Sequence, residues 1–239
     1  MKHLFLTSAM ALAISSCNFI KVNGSNLEKI FDAVEDTAEA VFEGETTGTI
    51  LTKDIPVARF DGLILEGAYD VHYTIGEPSL RIHASDKVLA HIVAGVHDGV
   101  LKIGTDGTKF RNMKNVDVYL SSWSLNSIDC RGAVDFEAKG GISAEDFVLN
   151  IAGAADVEIY DLKAERSASF TVDGAGDIEV DRLQTPVLKV QVNGAGDAEF
   201  SGRADKAEIT INGMGDVDII SLACPDVKTS RNGLGRIKR

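Results

Sequence analysis

Two sets of carboxylates recur along the second half of the chain at a nearly constant spacing. Each member of the first set lies three residues after a glycine, and these are Asp135, Asp156, Asp177, Asp197 and Asp216. The second set lies two residues further on and consists of Glu137, Glu158, Glu179, Glu199 and Asp218. Carboxylate oxygens are ligands that Ca²⁺ prefers, so cation binding is one chemistry that this pattern could support. The structural alternative is that each Asp accepts hydrogen bonds from the backbone amides of its own glycine corner while the second set stays solvated.

The glycines that precede the first set define an internal repeat. They are spaced by 21, 21, 20, 19 and 20 residues and are Gly132, Gly153, Gly174, Gly194, Gly213 and Gly233. An outlying copy, Gly67-Ala-Tyr-Asp70, precedes Gly132 by 65 residues, which is about three periods. A unit of about 20 residues cannot bury its own apolar face, whereas stacked coils about 4.8 Å apart share one continuous core. The repeat therefore predicts an all-β fold, a parallel β-solenoid of about 20-residue coils, with a sandwich of hairpins as the alternative.

Each period reads as two short strands around the glycine corner. Apolar and polar residues alternate before the corner, as in Leu188-Lys-Val-Gln-Val192, and after it, as in Asp177-Ile-Glu-Val180. Alternation with a period of two indicates strands with one buried side and one solvated side. Equal positions of successive coils would then form columns, and the two acidic sets would face the same way. Neighbouring unit charges about 5 Å apart repel by roughly 0.8 kcal/mol even in bulk water, so something must relieve this repulsion.

Two further columns follow from the same register. Asn193, Asn212 and Asn232, preceded by Asp173, predict a ladder of side-chain hydrogen bonds along the stack. Cys130 lies two residues before its corner glycine, at a position that faces inward, and Cys224 lies four to five coils away. That separation is about 20 Å at the coil spacing of a solenoid, which is too far for a disulfide. Both thiols are therefore predicted to be free.

The first 47 residues predict an exported, membrane-anchored protein. Residues 1–16 carry a short basic start and an apolar segment too short to span a bilayer, as in a signal peptide. Ile14-Ser-Ser-Cys17 matches a bacterial lipobox, so Cys17 is the predicted lipidation site and would anchor the protein to the membrane through its acyl chains. Asn18 follows Cys17 where an Asp would favour the inner membrane, which points to the outer membrane. Residues 17–47 are a lipid-anchored linker containing an amphipathic helix, and residues 48–239 are the solenoid domain.

Composition excludes some classes of function. The net charge of −12 argues against a nucleic-acid ligand, which needs a basic face for phosphates, and a hydrophobic fraction of 44% is enough to fill a core. Histidines 72, 83, 91 and 97 match no zinc motif and have no evident nucleophile beside them. Carboxylates that recur in every coil are typical of a structural repeat rather than of a single catalytic site, so the sequence predicts no enzyme.

The order of features also resembles a known bacterial family. Phe60-Asp-Gly-Leu63 leads to Gly67-Ala-Tyr-Asp-Val71, then to Asp98-Gly-Val-Leu-Lys-Ile103, and then to tandem Gly-x-Gly-Asp coils. This order is similar to that of the family named putative auto-transporter adhesin, head GIN domain, over about residues 48–239. The resemblance implies a β-helix-like solenoid and an adhesin-like role, and it supplies no catalytic residues. The chain departs from the pattern at Arg236, which stands where the other coils have Asp.

Two functional hypotheses follow. The first is a non-catalytic lipoprotein of the cell envelope that presents a stacked acidic sheet to a glycan or a protein, with Ca²⁺ as one bridging ion. The alternative is a periplasmic structural scaffold, or an envelope-stress lipoprotein, with no external ligand. Exposure of the solenoid on intact cells distinguishes the two.

Overall fold

The computed structural model describes residues 44, 46–110, 113 and 115–239, and over these residues the fold is an all-β solenoid. Eighteen strands form one continuous sheet wound around a single core, with one helical turn, α1 (Asp86–Leu89). The predicted parallel β-solenoid is thereby confirmed. Cys17 and the predicted amphipathic helix lie outside the described residues.

The strands of the first part of the chain are short. They are β1 (Ile50–Ile55), β2 (Gly62–Leu65), β3 (Ala68–Ile75), β4 (Ser79–Ser85), β5 (Ile92–His97), β6 (Val100–Thr105), β7 (Asp117–Ser122), β8 (Ser127–Cys130) and β9 (Ala133–Ala138). Several later strands are longer because they continue from one side of the solenoid to the next. They are β10 (Ile142–Ile151), β11 (Ala154–Ile159), β12 (Leu162–Val172), β13 (Ala175–Val192), β14 (Ala198–Ile211), β15 (Val217–Asp218), β16 (Leu222–Ala223), β17 (Asp226–Arg231) and β18 (Ile237–Lys238).

The regular coils have three sides, each a parallel ladder. Face A follows the glycine corner and contains β9, β11, the start of β13, the start of β14, β15 and β18. Face B precedes the corner and contains β8, β17 and the last segments of β10, β12, β13 and β14. Face C lies between them and is made of residues 142–144, 162–164, 183–185, 202–204 and 222–223. The sequence pattern predicts only two strands per coil, because face C is too short to show its own alternation.

The corner glycines allow the coils to stack at backbone contact. A Cβ added to Gly153 would lie 2.0 Å from the carbonyl oxygen of Gly132, and one added to Gly194 would lie 1.9 Å from that of Gly174. No side chain fits at that distance, so the repeat requires glycine at these corners for close approach rather than for an unusual backbone angle.

The core is filled by inward side chains from all coils. Phe147, Phe170 and Phe200 are fully buried, with ring centroids 5.7 Å apart for the first pair and 4.8 Å apart for the second. Cys130 is buried among them and Cys224 is half-buried, and both are free thiols, as predicted.

The chain order of the first coils differs from their order in the stack. β3 pairs with β9 on one side, matching Asp70 to Asp135, and with β7 on the other, matching Asp70 to Asp117. The Gly67 copy is therefore the immediate neighbour of the Gly132 coil, and the prediction of a gap of three periods is wrong. The intervening residues 76–125 fold onto the far side of the Gly67 coil, because antiparallel pairings of β4 with β7 and of β5 with β6 return the chain.

Both ends of the solenoid carry polar side chains at inward positions. On edge strand β1, Lys53 is paired with the buried Ile82. On edge strand β17, Thr229 and Arg231 occupy the positions that Ile209 and Ile211 hold one coil earlier. Charged residues that point inward on an edge strand oppose pairing with another sheet.

Candidate functional site: the outer acidic face

The structure brings the two predicted acidic sets together on the outer side of face A. Asp135, Asp156 and Asp177 are direct neighbours across β9, β11 and β13, as are Glu137 and Glu158 two residues further on. The series continues through the later coils, where Glu199 is followed by Asp218. All ten carboxylates are exposed or half-buried. They form the Asp column and the Glu column of face A.

Two members of the Asp column are missing from the sequence prediction. Asp70 and Asp117 extend it beyond Asp135. Asp70 had a usable signal, because it ends the Gly67-Ala-Tyr-Asp70 motif, although that motif was assigned to a distant coil. Asp117 follows no corner glycine, so the repeat pattern could not identify it.

Part of the Asp column is stabilised by backbone amides, but not by those that the sequence suggests. The Oδ1 of Asp177 accepts a hydrogen bond from the amide of Asp197 at 2.8 Å, and Asp197 accepts one from Asp216 at 2.7 Å. Asp216 in turn accepts from the amide of Arg236 at 2.9 Å. Each donor belongs to the next coil and not to the carboxylate's own corner, so that expectation is corrected.

The second glycine of the Gly-x-Gly-Asp corner explains this arrangement. A Cβ on Gly196 would lie 1.9 Å from the carbonyl oxygen of Gly176, so the backbone passes unusually close to its neighbour there. The regular strand pairing is interrupted at this point, which leaves the following amide to the carboxylate. Where Val134 and Ala155 replace the second glycine, the pairing is continuous. Among the described residues, no group donates a hydrogen bond to the carboxylates of these two coils' Asp residues.

Cations border the acidic columns at one end of the stack. The Arg236 guanidinium contacts Asp216 Oδ2 through Nη2 at 2.7 Å and through Nε at 3.0 Å. The Lys238 ammonium lies between the columns, 3.8 Å from Asp216 and 3.6 Å from Asp218. The hydrogen bond from Arg236 lowers the pKa of Asp216.

Cations also border the Glu column at its other end, while its middle has none. Lys139 Nζ lies 2.8 Å from Glu137 and His72 Nδ1 lies 3.4 Å from it; the Lys139 hydrogen bond is the main cause of a lowered pKa for Glu137. In the middle, the pKa of Glu179 is raised, first by desolvation and then by the charges of Asp181, Glu199 and Glu158. The central coils therefore carry negative charge that the described side chains leave uncompensated.

A groove of about 610 Å³ runs beside the Asp column. Its floor is a row of alanines at the position before the second corner residue, and these are Ala68, Ala133, Ala154, Ala175 and Ala195. In the last two coils the same row holds Met214 and Leu234, which are 61% and 81% exposed. Face A thus combines a small, apolar floor with a carboxylate wall.

The predicted asparagine ladder is confirmed. The Asn232 amide donates to Asn212 Oδ1 at 3.1 Å, and the Asn212 amide donates to Asn193 Oδ1 at 2.8 Å. The Asn193 amide donates to Asp173 at 2.6 Å. The ladder ends there because an ionised carboxylate accepts but cannot donate.

Within the described part of the chain, no group of three or more His, Cys, Asp or Glu side chains is arranged to hold a metal ion. Binding of Ca²⁺ by the columns therefore stays a prediction. Over the same residues, no helix has the length and hydropathy needed to cross a membrane.

A three-sided parallel β-solenoid with outward columns of identical side chains defines a repeat protein that offers extended flat surfaces. The chain matches the family described as "Putative auto-transporter adhesin, head GIN domain" over residues 59–238, which is most of its length, and it belongs to that family. No curated protein matches it.

Solved structures share the fold at low sequence identity. A putative adhesin from Bacteroides fragilis is 20% identical with a TM-score of 0.65, covering 81% of this chain and 98% of its own. A putative adhesin from Parabacteroides distasonis is 20% identical with a TM-score of 0.71, covering 83% and 84%. A protein from the same species described as a putative lipid binding protein is 16% identical with a TM-score of 0.64, covering 84% and 100%.

Proposed function

We propose that the protein is a non-catalytic, adhesin-like binding module of the cell envelope that presents face A to a partner. The observation that carries this proposal is the double row of carboxylates on the outer side of five consecutive coils. Like charges at this spacing cost free energy, and that cost is recovered when a partner brings compensating positive charge. Membership of a family described as adhesins supports the same role.

The geometry favours binding over catalysis. Catalytic carboxylates work as pairs in different environments, which set one apart as acid and the other as base. On face A the same Asp and Glu positions recur from coil to coil along an open groove, and no coil contains a distinct pair. An extended, repetitive surface suits a polymeric or protein ligand, with a glycan held through bridging Ca²⁺ as the variant that the columns could also support.

The location that we propose is the outer membrane, with Cys17 as the lipid anchor. The support is the lipobox Ile14-Ser-Ser-Cys17 and the Asn18 that follows it. Changing Cys17 to Ser should move the protein from the membrane fraction to the soluble fraction, and retention in the membrane fraction would contradict the anchor.

The experiment that tests the surface role is protease treatment of intact cells. An epitope tag is inserted after Gly107, in an exposed turn between β6 and β7, and its loss is compared with that of a periplasmic control protein. Loss of the tag supports the surface-exposed module. Full protection, with the protein present in the membrane fraction, overturns it in favour of the periplasmic scaffold.

Face A itself is tested by binding to beads coated with poly-L-lysine and to glycan arrays, each with Ca²⁺ and with chelator. The variant Asp156→Asn removes one charge from the centre of the Asp column, and Asp226→Asn removes one from face B as a matched control. Weaker binding in the first variant alone supports face A, and equal binding by both variants and the parent contradicts it.

A further inference from the structure

A second groove, of about 600 Å³, lies on face C, the side of the solenoid between faces A and B. Three successive coils contribute polar side chains to its rim, and these are Lys163, Glu165, Arg182, Gln184, Arg203 and Asp205. The floor includes the buried Ala164 and Leu183 together with Pro186. Neither acidic column reaches this groove.

Irregular strand pairing creates the concave shape. The pairing of β12 with β13 shifts register between Lys163 and Ser167, and that of β13 with β14 shifts between Val180 and Leu183. Such bulges bend a strand and re-aim its side chains. At Gly202 (φ +116°) the backbone passes so close to the neighbouring coil that a Cβ would lie 2.3 Å from the Leu183 carbonyl oxygen. The groove is therefore a built feature of three coils.

One column of the rim has hydrogen-bonding groups to spare. Lys163, Gln184 and Arg203 are direct neighbours in register, one per coil, at a coil spacing of about 4.8 Å. Among the described residues, Lys163 and Gln184 have no hydrogen-bond or ion-pair partner. Arg203 has only an ion pair with Asp205 at 3.8 Å, which is too long for a hydrogen bond. By contrast, Arg182 on the same rim donates to Asp161 at 3.3 Å.

The mixture of charges on the rim selects the chemistry of a ligand. Three cationic side chains alternate with Glu165 and Asp205, so a ligand of a single charge would be repelled by part of the rim. Hydroxyl groups both donate and accept, and can therefore use amines, guanidinium groups, amides and carboxylates together. An apolar floor with a few polar groups around it is also the usual construction of a small-ligand site.

We infer that the face C groove binds a neutral linear glycan lying along the solenoid axis, with one sugar unit per coil over three coils. The coil spacing is close to the length of one pyranose unit along such a chain, so equal side chains in successive coils meet equivalent hydroxyls. Lys163 and Arg203 donate to the outer two units, and Gln184 contacts the central one. The inference deepens the proposed function by naming a ligand class, but it does not require face A.

The test is calorimetric titration of the full lipidated chain in detergent with neutral β-linked glucose oligosaccharides of one to six units. We expect affinity to increase with length up to three units and then to level off. Lys163→Ala and Arg203→Ala should each weaken binding of the trisaccharide by about tenfold, which corresponds to about 1.4 kcal/mol. Lys189→Ala removes an exposed lysine from face B and should leave binding unchanged.

Three results would overturn the inference. The first is no binding by any of the oligosaccharides, and the second is binding that Lys163→Ala and Arg203→Ala leave intact. The third is binding that Asp156→Asn abolishes, which would place the glycan on face A. Circular dichroism of each variant checks that it folds. Protease protection of intact cells would contradict the surface role and leave the groove assay valid, so the two failures are distinguishable.

Discussion

The regular coils (residues 126–239) and the entry region (residues 46–125) build the same solenoid by different means. In the regular coils, spatial neighbours are about 20 residues apart in sequence and every ladder is parallel. In the entry region, β1, β4 and β5 are antiparallel, and β3 pairs with a strand more than 60 residues away. The comparison teaches that the repeat supplies identical contacts coil after coil, whereas the entry region depends on individual pairings.

The outer face shows the same division. Along the Glu column, the carboxylates of the regular coils give way to His72, Tyr119 and Arg81 in the entry region. The His72 and Tyr119 rings stack with centroids 4.9 Å apart. Arg81 is paired with Asp54 at 2.6 Å. Like charges are thus confined to the regular coils, and mixed contacts take over where the repeat ends.

The largest difference between the two regions should come from their glycines. Gly194→Ala forces a Cβ to within 1.9 Å of the Gly174 carbonyl oxygen, and we expect a loss of roughly 3–5 kcal/mol of unfolding free energy. Gly76→Ala in the entry region meets only Ser121 Cβ at 3.8 Å and should change stability by about 0.5 kcal/mol or less. Urea denaturation of both variants measures this, and equal losses would contradict the stacking argument.

Core packing should give the next largest effect. Phe170 packs against Phe147 and Phe200 from the two neighbouring coils, so Phe170→Ala should cost roughly 3–5 kcal/mol through the cavity it leaves. Tyr73→Phe in the entry region removes only a hydroxyl that bonds Ser122 and should cost about 1 kcal/mol. The midpoints of denaturant unfolding test the order, and a Tyr73→Phe loss as large as that of Phe170→Ala would reverse the comparison.

The asparagine ladder predicts a smaller effect that depends on position. Asn212 both accepts from Asn232 and donates to Asn193, so Asn212→Ala breaks two hydrogen bonds and should cost about 1 kcal/mol. Asn232→Ala breaks one and should cost about half as much. The difference in unfolding midpoint between the two variants is the readout, and a larger loss for Asn232→Ala would show that the ladder is not the source.

The smallest effect should be electrostatic and opposite in sign at two positions of the Glu column. The pKa of Glu179 is raised in the folded state, so its ionised form is disfavoured and stability falls as the pH rises through that pKa. Glu179→Gln should therefore stabilise the protein at pH 7, by about 0.5 kcal/mol or less for so exposed a group. The gain should disappear below about pH 4, where model glutamates are protonated.

Glu137 provides the control for this prediction. Its pKa is lowered by the Lys139 hydrogen bond, so its stabilising contribution is present above the unfolded pKa and is lost as the pH falls through the folded one. Glu137→Gln should lower stability at pH 7. Unfolding midpoints at pH 7 and pH 3.5 check both variants, and a change of the same sign for the two would refute the contrast.

Much of the candidate site could be predicted because a repeat carries its own register. Once the corner glycines are aligned, the Asp column, the Glu column, the asparagine ladder and the inward Cys130 follow from the period of a strand. The polar rim of face C was not predicted, although Lys163 and Arg203 occupy the same place in their coils. Its concave shape depends on bulges, which leave no periodic trace in the sequence.

The sequence by itself determined the solenoid, its period and the side chains that line its outer columns, because each coil can satisfy its backbone and its core only by stacking on an equivalent coil. Only the tertiary structure decided three further features. It placed the Gly67 coil beside Gly132, it gave each carboxylate of Asp177, Asp197 and Asp216 the amide of the next coil, and it formed the face C groove. All three depend on pairing between segments whose local patterns are compatible with several partners, so the free energy of the whole stack selects among them.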